Sequence, residues 1–110
     1  MREWIDIKGA SDVVYRFNLF RDGWPLSPMG GNFIYVREVG ESYEVIHVGQ
    51  TRNLLTDSRL DWDQAETEHG ATHLFTRLNV SETTRQHEHA DITEAFKPPM
   101  TPRARADQED

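Results

Sequence analysis

Apolar and polar positions alternate in short blocks through the first half of the chain and fall into a sparser, helix-like spacing in the second. Val13-Val14-Tyr15-Arg16-Phe17-Asn18-Leu19-Phe20 is rich in β-formers and partly alternating, which predicts a first strand. Gly23, Pro25, Pro28, Gly30 and Gly31 then predict a long turn region carrying Trp24. Two further runs, Phe33 to Val39 and Tyr43 to Val48, flank Gly40-Glu41-Ser42, which reads as the loop of a β-hairpin. Strict alternation places Tyr43, Val45 and His47 on one face of the second run, with Glu44, Ile46 and Val48 on the other.

Asn53 or Thr51 is positioned to cap a short helix running to about Asp61, and a second helical piece reaches Glu68 before Gly70 stops it. Ala71 to Val80 reads as another strand. Ser81 is a good N-cap for a helix that runs to Phe96, where Pro98-Pro99 ends it. The apolar stripe of that helix is narrow: Ile92 and Phe96, with His89 on the same face. From Met100 onward Pro, Arg, Asp and Gln dominate, so a frayed tail is expected. The pattern predicts one α+β domain with a central antiparallel sheet of about three strands and flanking helices. Residues 1–31 supply an N-terminal strand and loop, 32–101 the core and 102–110 a flexible tail.

Composition narrows this picture. A length of 110 residues leaves room for a single core. The absence of Cys excludes a disulfide framework and a thiolate metal site. Met1-Arg2-Glu3-Trp4-Ile5-Asp6 carries charge where a signal peptide needs an apolar core, and no apolar run approaches the roughly 20 residues that span a bilayer. A cytoplasmic protein without a membrane partner is expected. Acids outnumber bases 19 to 12, a formal net charge of −7, which works against affinity for a phosphate backbone. The imbalance concentrates in residues 61–94, where eight acids face only Arg77 and Arg85. Asp63, Glu66 and Glu68 are the candidate partner-binding residues of that face, whose plainer reading is a solvated surface. Trp4, Trp24 and Trp62 read as core or half-buried packing.

Three strings stand out. Asn32-Phe33-Ile34-Tyr35 is followed by Ile46-His47-Val48-Gly49-Gln50-Thr51-Arg52-Asn53-Leu54, and later come Arg85-Gln86-His87-Glu88-His89-Ala90-Asp91-Ile92 and Lys97-Pro98-Pro99. Together they resemble the GIY-YIG nuclease family, with its paired tripeptides, its "GQT-x-NL" turn and its "R-Q-x-x-E-A-D-L … N-P-P-x-N" ending. The resemblance covers roughly residues 32 to 101. It implies a shallow site where two tyrosines, a helix arginine and a glutamate that holds a divalent metal, usually magnesium, meet for phosphodiester hydrolysis. Tyr35 stands at the first tyrosine, and Phe33 replaces the glycine of that tripeptide. His47 stands at the second tyrosine. Asp57 occupies the arginine position, with Arg59 two residues further on. His89 occupies the glutamate position, preceded by Glu88, and Thr101 stands at the last asparagine.

An imidazole is a poor ligand for magnesium, and Glu88 points about 100° away from position 89 on a helix. The resemblance therefore implies a degenerate nuclease-fold protein acting as a binding or regulatory module, with a protein or nucleic acid as partner and no resident cofactor. One alternative is an active endonuclease remodelled around His47 and His89, the one case that would call for magnesium. A third reading is an acidic DNA mimic or interaction protein. Two imidazoles beside Tyr35 also raise zinc binding or metal-free acid/base chemistry, while the plainer reading makes them ordinary polar residues. Arg52, beside the turn, is the best phosphate contact; Arg103 and Arg105 lie in the tail.

Overall fold

The computed structural model describes residues 2–103 of the 110-residue chain. Its elements are β1 (Trp4–Lys8), β2 (Val14–Leu19), β3 (Gly31–Val39), β4 (Ser42–Thr51), α1 (Leu54–Asp57), α2 (Trp62–His69), β5 (His73–Leu78) and α3 (Glu82–Phe96). The strands form one sheet in the order β1-β2-β5-β3-β4, each paired antiparallel with its neighbour. The α+β class holds, but the sheet has five strands rather than about three. The predicted first strand is present as β2, and the strand not foreseen is β1, which pairs with β2 in an N-terminal hairpin that joins the core sheet through β5. Strand β1 rests on only two inward residues, Ile5 and Ile7, between exposed Trp4, Asp6 and Lys8. So short a stretch of alternation gives a weak signal.

Phe33–Val39 and Tyr43–Val48 pair as the hairpin pattern predicts, but the loop is tighter than expected. Val39 is the partner of Ser42, leaving Gly40-Glu41 as the loop, and Gly40 takes a φ of +62°, which an L side chain rarely adopts. The alternation of β4 also breaks. Tyr35 faces His47 while Val36 faces Val45, so Ile46 is an extra residue, a β-bulge. Val45 and Val48 consequently pack on one side of the sheet and Ile46 on the other.

Strand β3 lies between β5 and β4, and both its faces are covered. Ile34 and Val36 join Phe17, Phe75 and Ile92 in the layer under α3. Phe33 and Tyr35 join Leu54, Ala65 and Leu74 under α1 and α2. Asn53 caps α1 by accepting from the Thr56 N–H at 3.1 Å, and Ser81 caps α3 by accepting from Thr84. Ile92 is fully buried and Phe96 half-buried, as the narrow stripe predicts.

The rest of α3 is anchored by polar contacts. Glu88 is buried against Arg77 Nε at 2.8 Å and Asn79 Nδ2 at 3.0 Å, and Asn79 also donates to Asn32 Oδ1. Asn32 in turn donates to the Arg85 carbonyl. Buried Arg85 donates to Gln50 Oε1 and to the Val80 carbonyl. Asp91 accepts from Ser11 and from the Tyr15 hydroxyl, which hold its carboxyl below the usual range. These bonds replace the missing apolar area and satisfy groups whose burial would otherwise be costly.

Two expectations fail in the covering segments. Met100–Arg103 is bound to the domain rather than frayed. Met100 is buried and its N–H donates to the Ile46 carbonyl, while Gln64 donates to the Thr101 carbonyl and accepts from the Arg103 N–H. Residues 104–110, with Arg105 and the remainder of the expected flexible tail, lie outside the described residues. Trp4 and Trp24 are exposed, lying under the guanidinium groups of Arg16 and Arg21; only Trp62 is half-buried.

Candidate functional site

The Tyr35–His47 cross-strand pair organises the side of the sheet under α1. The rings are 5.3 Å apart between centroids, with Phe33 6.0 Å from His47 and Trp62 edge-on to Tyr35. The bulge at Ile46 sets this register and turns His47 toward an open cleft of about 460 Å³. Close approach at Gly49 is part of the construction, because a Cβ there would lie 2.1 Å from Phe33 Cζ. Across the cleft, His89 of α3 and Asp57 and Asp61 of the α1–α2 segment complete the wall.

The candidate residues are thus only partly brought together. His47 and His89 share the cleft. Tyr35 does not line it: the ring is fully buried, and its hydroxyl donates to the Ser58 carbonyl at 2.7 Å. Arg59 opens onto a different hollow and lies over the Phe20 ring. Arg52 is exposed at the turn after β4. Asp63, Glu66 and Glu68 are exposed on α2, and Glu68 is ion-paired with Arg103 and accepts from Gln64.

His89 and Asp57 each have a local structural partner. His89 Nε2 lies 3.1 Å from the Val48 carbonyl oxygen. Asp57 accepts from the Thr51 hydroxyl at 2.6 Å and from the Thr56 hydroxyl at 3.0 Å. Burial pushes the His47 imidazole below its ordinary pKa; Asp61 opposes this, and the neighbouring His89 adds to it. His47 is therefore neutral at pH 7. Among the described residues, no cluster of three or more His, Asp or Glu side chains is arranged to hold a metal ion. His89, at the position where the resemblance expects a metal-holding glutamate, presents an imidazole bonded to the Val48 carbonyl, a poor ligand for magnesium.

Sequence reasoning missed Asp61 and the Thr51–Asp57 bond as parts of this cleft. The signal for the latter was present: Thr51 and Asp57 bracket the Asn53 cap, six residues apart. The second hollow, lined by Phe20, Arg59, Trp62 and His73, draws on three separated segments and has no local motif.

No protein-family model, curated protein or solved structure matches the chain. No helix of the described residues is long and apolar enough to cross a membrane.

Proposed function

We propose that the chain is a nuclease-like domain of GIY-YIG type whose cleft serves as a binding or regulatory module rather than as a magnesium-dependent hydrolase. One observation carries the reading: the His89 imidazole, at the position of the metal-holding glutamate, is bonded to the Val48 carbonyl. Two further features support it. Asp57 stands where the phosphate-stabilising arginine belongs, and Arg59 faces another hollow. A cleft walled by Asp57 and Asp61 repels a phosphodiester, and no Lys or Arg stands among its described lining residues to stabilise the transition state.

Purified protein incubated with single-stranded, duplex and branched DNA and with RNA, in magnesium or manganese, is expected to leave every substrate intact. Cleavage abolished by His89→Ala, and unchanged by a distant surface substitution, would refute the reading. The metal-free acid/base reading has one specific support: neutral His47 shares an open cleft with His89, the geometry a metal-free base would need. Arg52 would then contact phosphate, and activity should vanish in His47→Ala while surviving chelation of metal ions. The acidic face is tested separately. Neutralising Asp63, Glu66 and Glu68 together is expected to release a protein partner, and an unchanged partner set would leave that face as solvated surface.

A further inference from the structure

A second hollow opens on the far side of Trp62. Phe20 is the last residue after β2 to bond β5, its N–H donating to the Leu74 carbonyl at 2.9 Å, and the chain then enters the turn at Asp22 and Gly23. Its departure leaves a space of about 440 Å³ beside the start of β5, a size typical of small-ligand pockets. Phe20, Trp62 and Leu74 form the apolar walls, with Arg59, His73 and Thr72 among them and Asp22 as the acid. The hollow shares no lining residue with the His47–His89 cleft.

Its parts are held in place. Trp62 stands edge-on to buried Tyr35, at 5.3 Å and 88°, so its indole is fixed by packing. The Arg59 guanidinium lies over the Phe20 ring, 5.2 Å from its centroid, which keeps the charge beside the apolar wall. In this acidic chain most cations are neutralised: Arg2, Lys8, Arg16, Arg21, Arg37, Arg77, Arg85 and Arg103 each pair with a carboxylate. Arg59 is among the few left outside those pairs in the described residues, and it is the one lining a hollow with aromatic walls.

We propose that this hollow binds a flat aromatic ring carrying one carboxylate, the ring lying against Trp62 and the carboxylate on Arg59. A guanidinium fork matches a carboxylate, and aromatic walls take a planar ring at little entropic cost. Asp22 argues for a singly charged acid over a dianionic phosphate, because a second negative charge in the same hollow would be repelled. This inference is independent of the nuclease-like reading, since it uses none of the cleft residues.

Titration with 2-naphthoate, followed by amide and indole N–H chemical shifts, tests it. Shifts are expected at the Trp62 indole and the Thr72 and His73 amides. Neutral 2-naphthalenemethanol should bind about tenfold more weakly, the value of one charge-assisted contact. Arg59→Gln, an exposed substitution that should leave the spectrum folded, is expected to reduce naphthoate to the level of the alcohol. Asp22→Asn should strengthen binding of 2-naphthyl phosphate relative to naphthoate. Equal affinity for acid and alcohol, an Arg59→Gln protein that binds naphthoate unchanged, or shifts mapping away from Trp62 would each overturn the proposal.

Discussion

His89 Nε2 lies 3.1 Å from the carbonyl oxygen of Val48, and because a carbonyl can only accept, this nitrogen carries the hydrogen. The side chain thereby ties α3 to β4, the edge strand of the sheet. An ionised carboxylate has no hydrogen to give. A glutamate here, as the resemblance implies, would set its charge against the carbonyl dipole and leave the tie unmade. The chemistry at position 89 is therefore that of a structural donor in this chain.

His89→Glu is accordingly expected to destabilise the fold by about 1–3 kcal/mol, the usual cost of an unmade bond to a partly buried group. His89→Gln keeps an N–H donor and should lose less. Urea unfolding of both variants measures the difference. A His89→Glu protein as stable as the parent would show that the Val48 contact contributes nothing, and would reopen the position to metal binding.

How much of this was readable beforehand depended on range. The β3–β4 hairpin, the Ser81 cap and the burial of Ile92 follow from local spacing and were legible. The bulge at Ile46 was not, because each residue near it is equally at home in a regular strand; only the pairing of Tyr35 with His47 and Val36 with Val45 reveals the extra residue. The site was legible to the same degree. His47 and His89 converge because a strand and a packed helix bring them there. Arg59 diverges because α1 ends at Asp57, and the break before α2 points the next arginine elsewhere. Residues 100–103 looked unstructured by composition, yet one buried methionine and one glutamine amide hold them.

The contact between Gly49 and Phe33 gives a paired prediction. A methyl at position 49 would lie 2.1 Å from Phe33 Cζ, with the ring packed against both Tyr35 and His47. Gly49→Ala should cost about 1–3 kcal/mol through overpacking. Shortening the opposing side chain with Phe33→Leu should recover part of that loss, so the double variant will be more stable than the two single effects summed. Additive losses in a double-mutant cycle would mean that the strand shifts rather than the ring.

The C-terminal strap is expected to contribute to stability. Met100 packs in the layer with Ile46 and Leu54, at 5% exposure. Met100→Ala should therefore cost roughly 2–5 kcal/mol, toward the lower end because the site lies at the rim of the layer. Gln64→Ala removes both contacts to the strap backbone and should raise hydrogen-exchange rates at Met100 and Arg103 while leaving α3 protected. A chain truncated after Pro99 that unfolds at the same urea concentration as the parent would show the strap to be passive.

His47 gives the pH dependence. Burial places its folded pKa below the ordinary value of about 6.5, which it regains on unfolding. Between those two values the unfolded chain binds more protons, so stability falls as pH falls through that interval and levels off below the folded value. The groups facing the ring shape the size of the effect: Asp61 supports protonation, His89 opposes it, and Asp57 lies on the same wall. His47→Gln keeps a polar group of similar size that does not titrate. Urea midpoints measured from pH 7.5 down to 5 should therefore decline less steeply in the variant than in the parent. Parallel curves would mean that His47 titrates as it does in the unfolded chain, and the neutral-imidazole account of the cleft would fall with it.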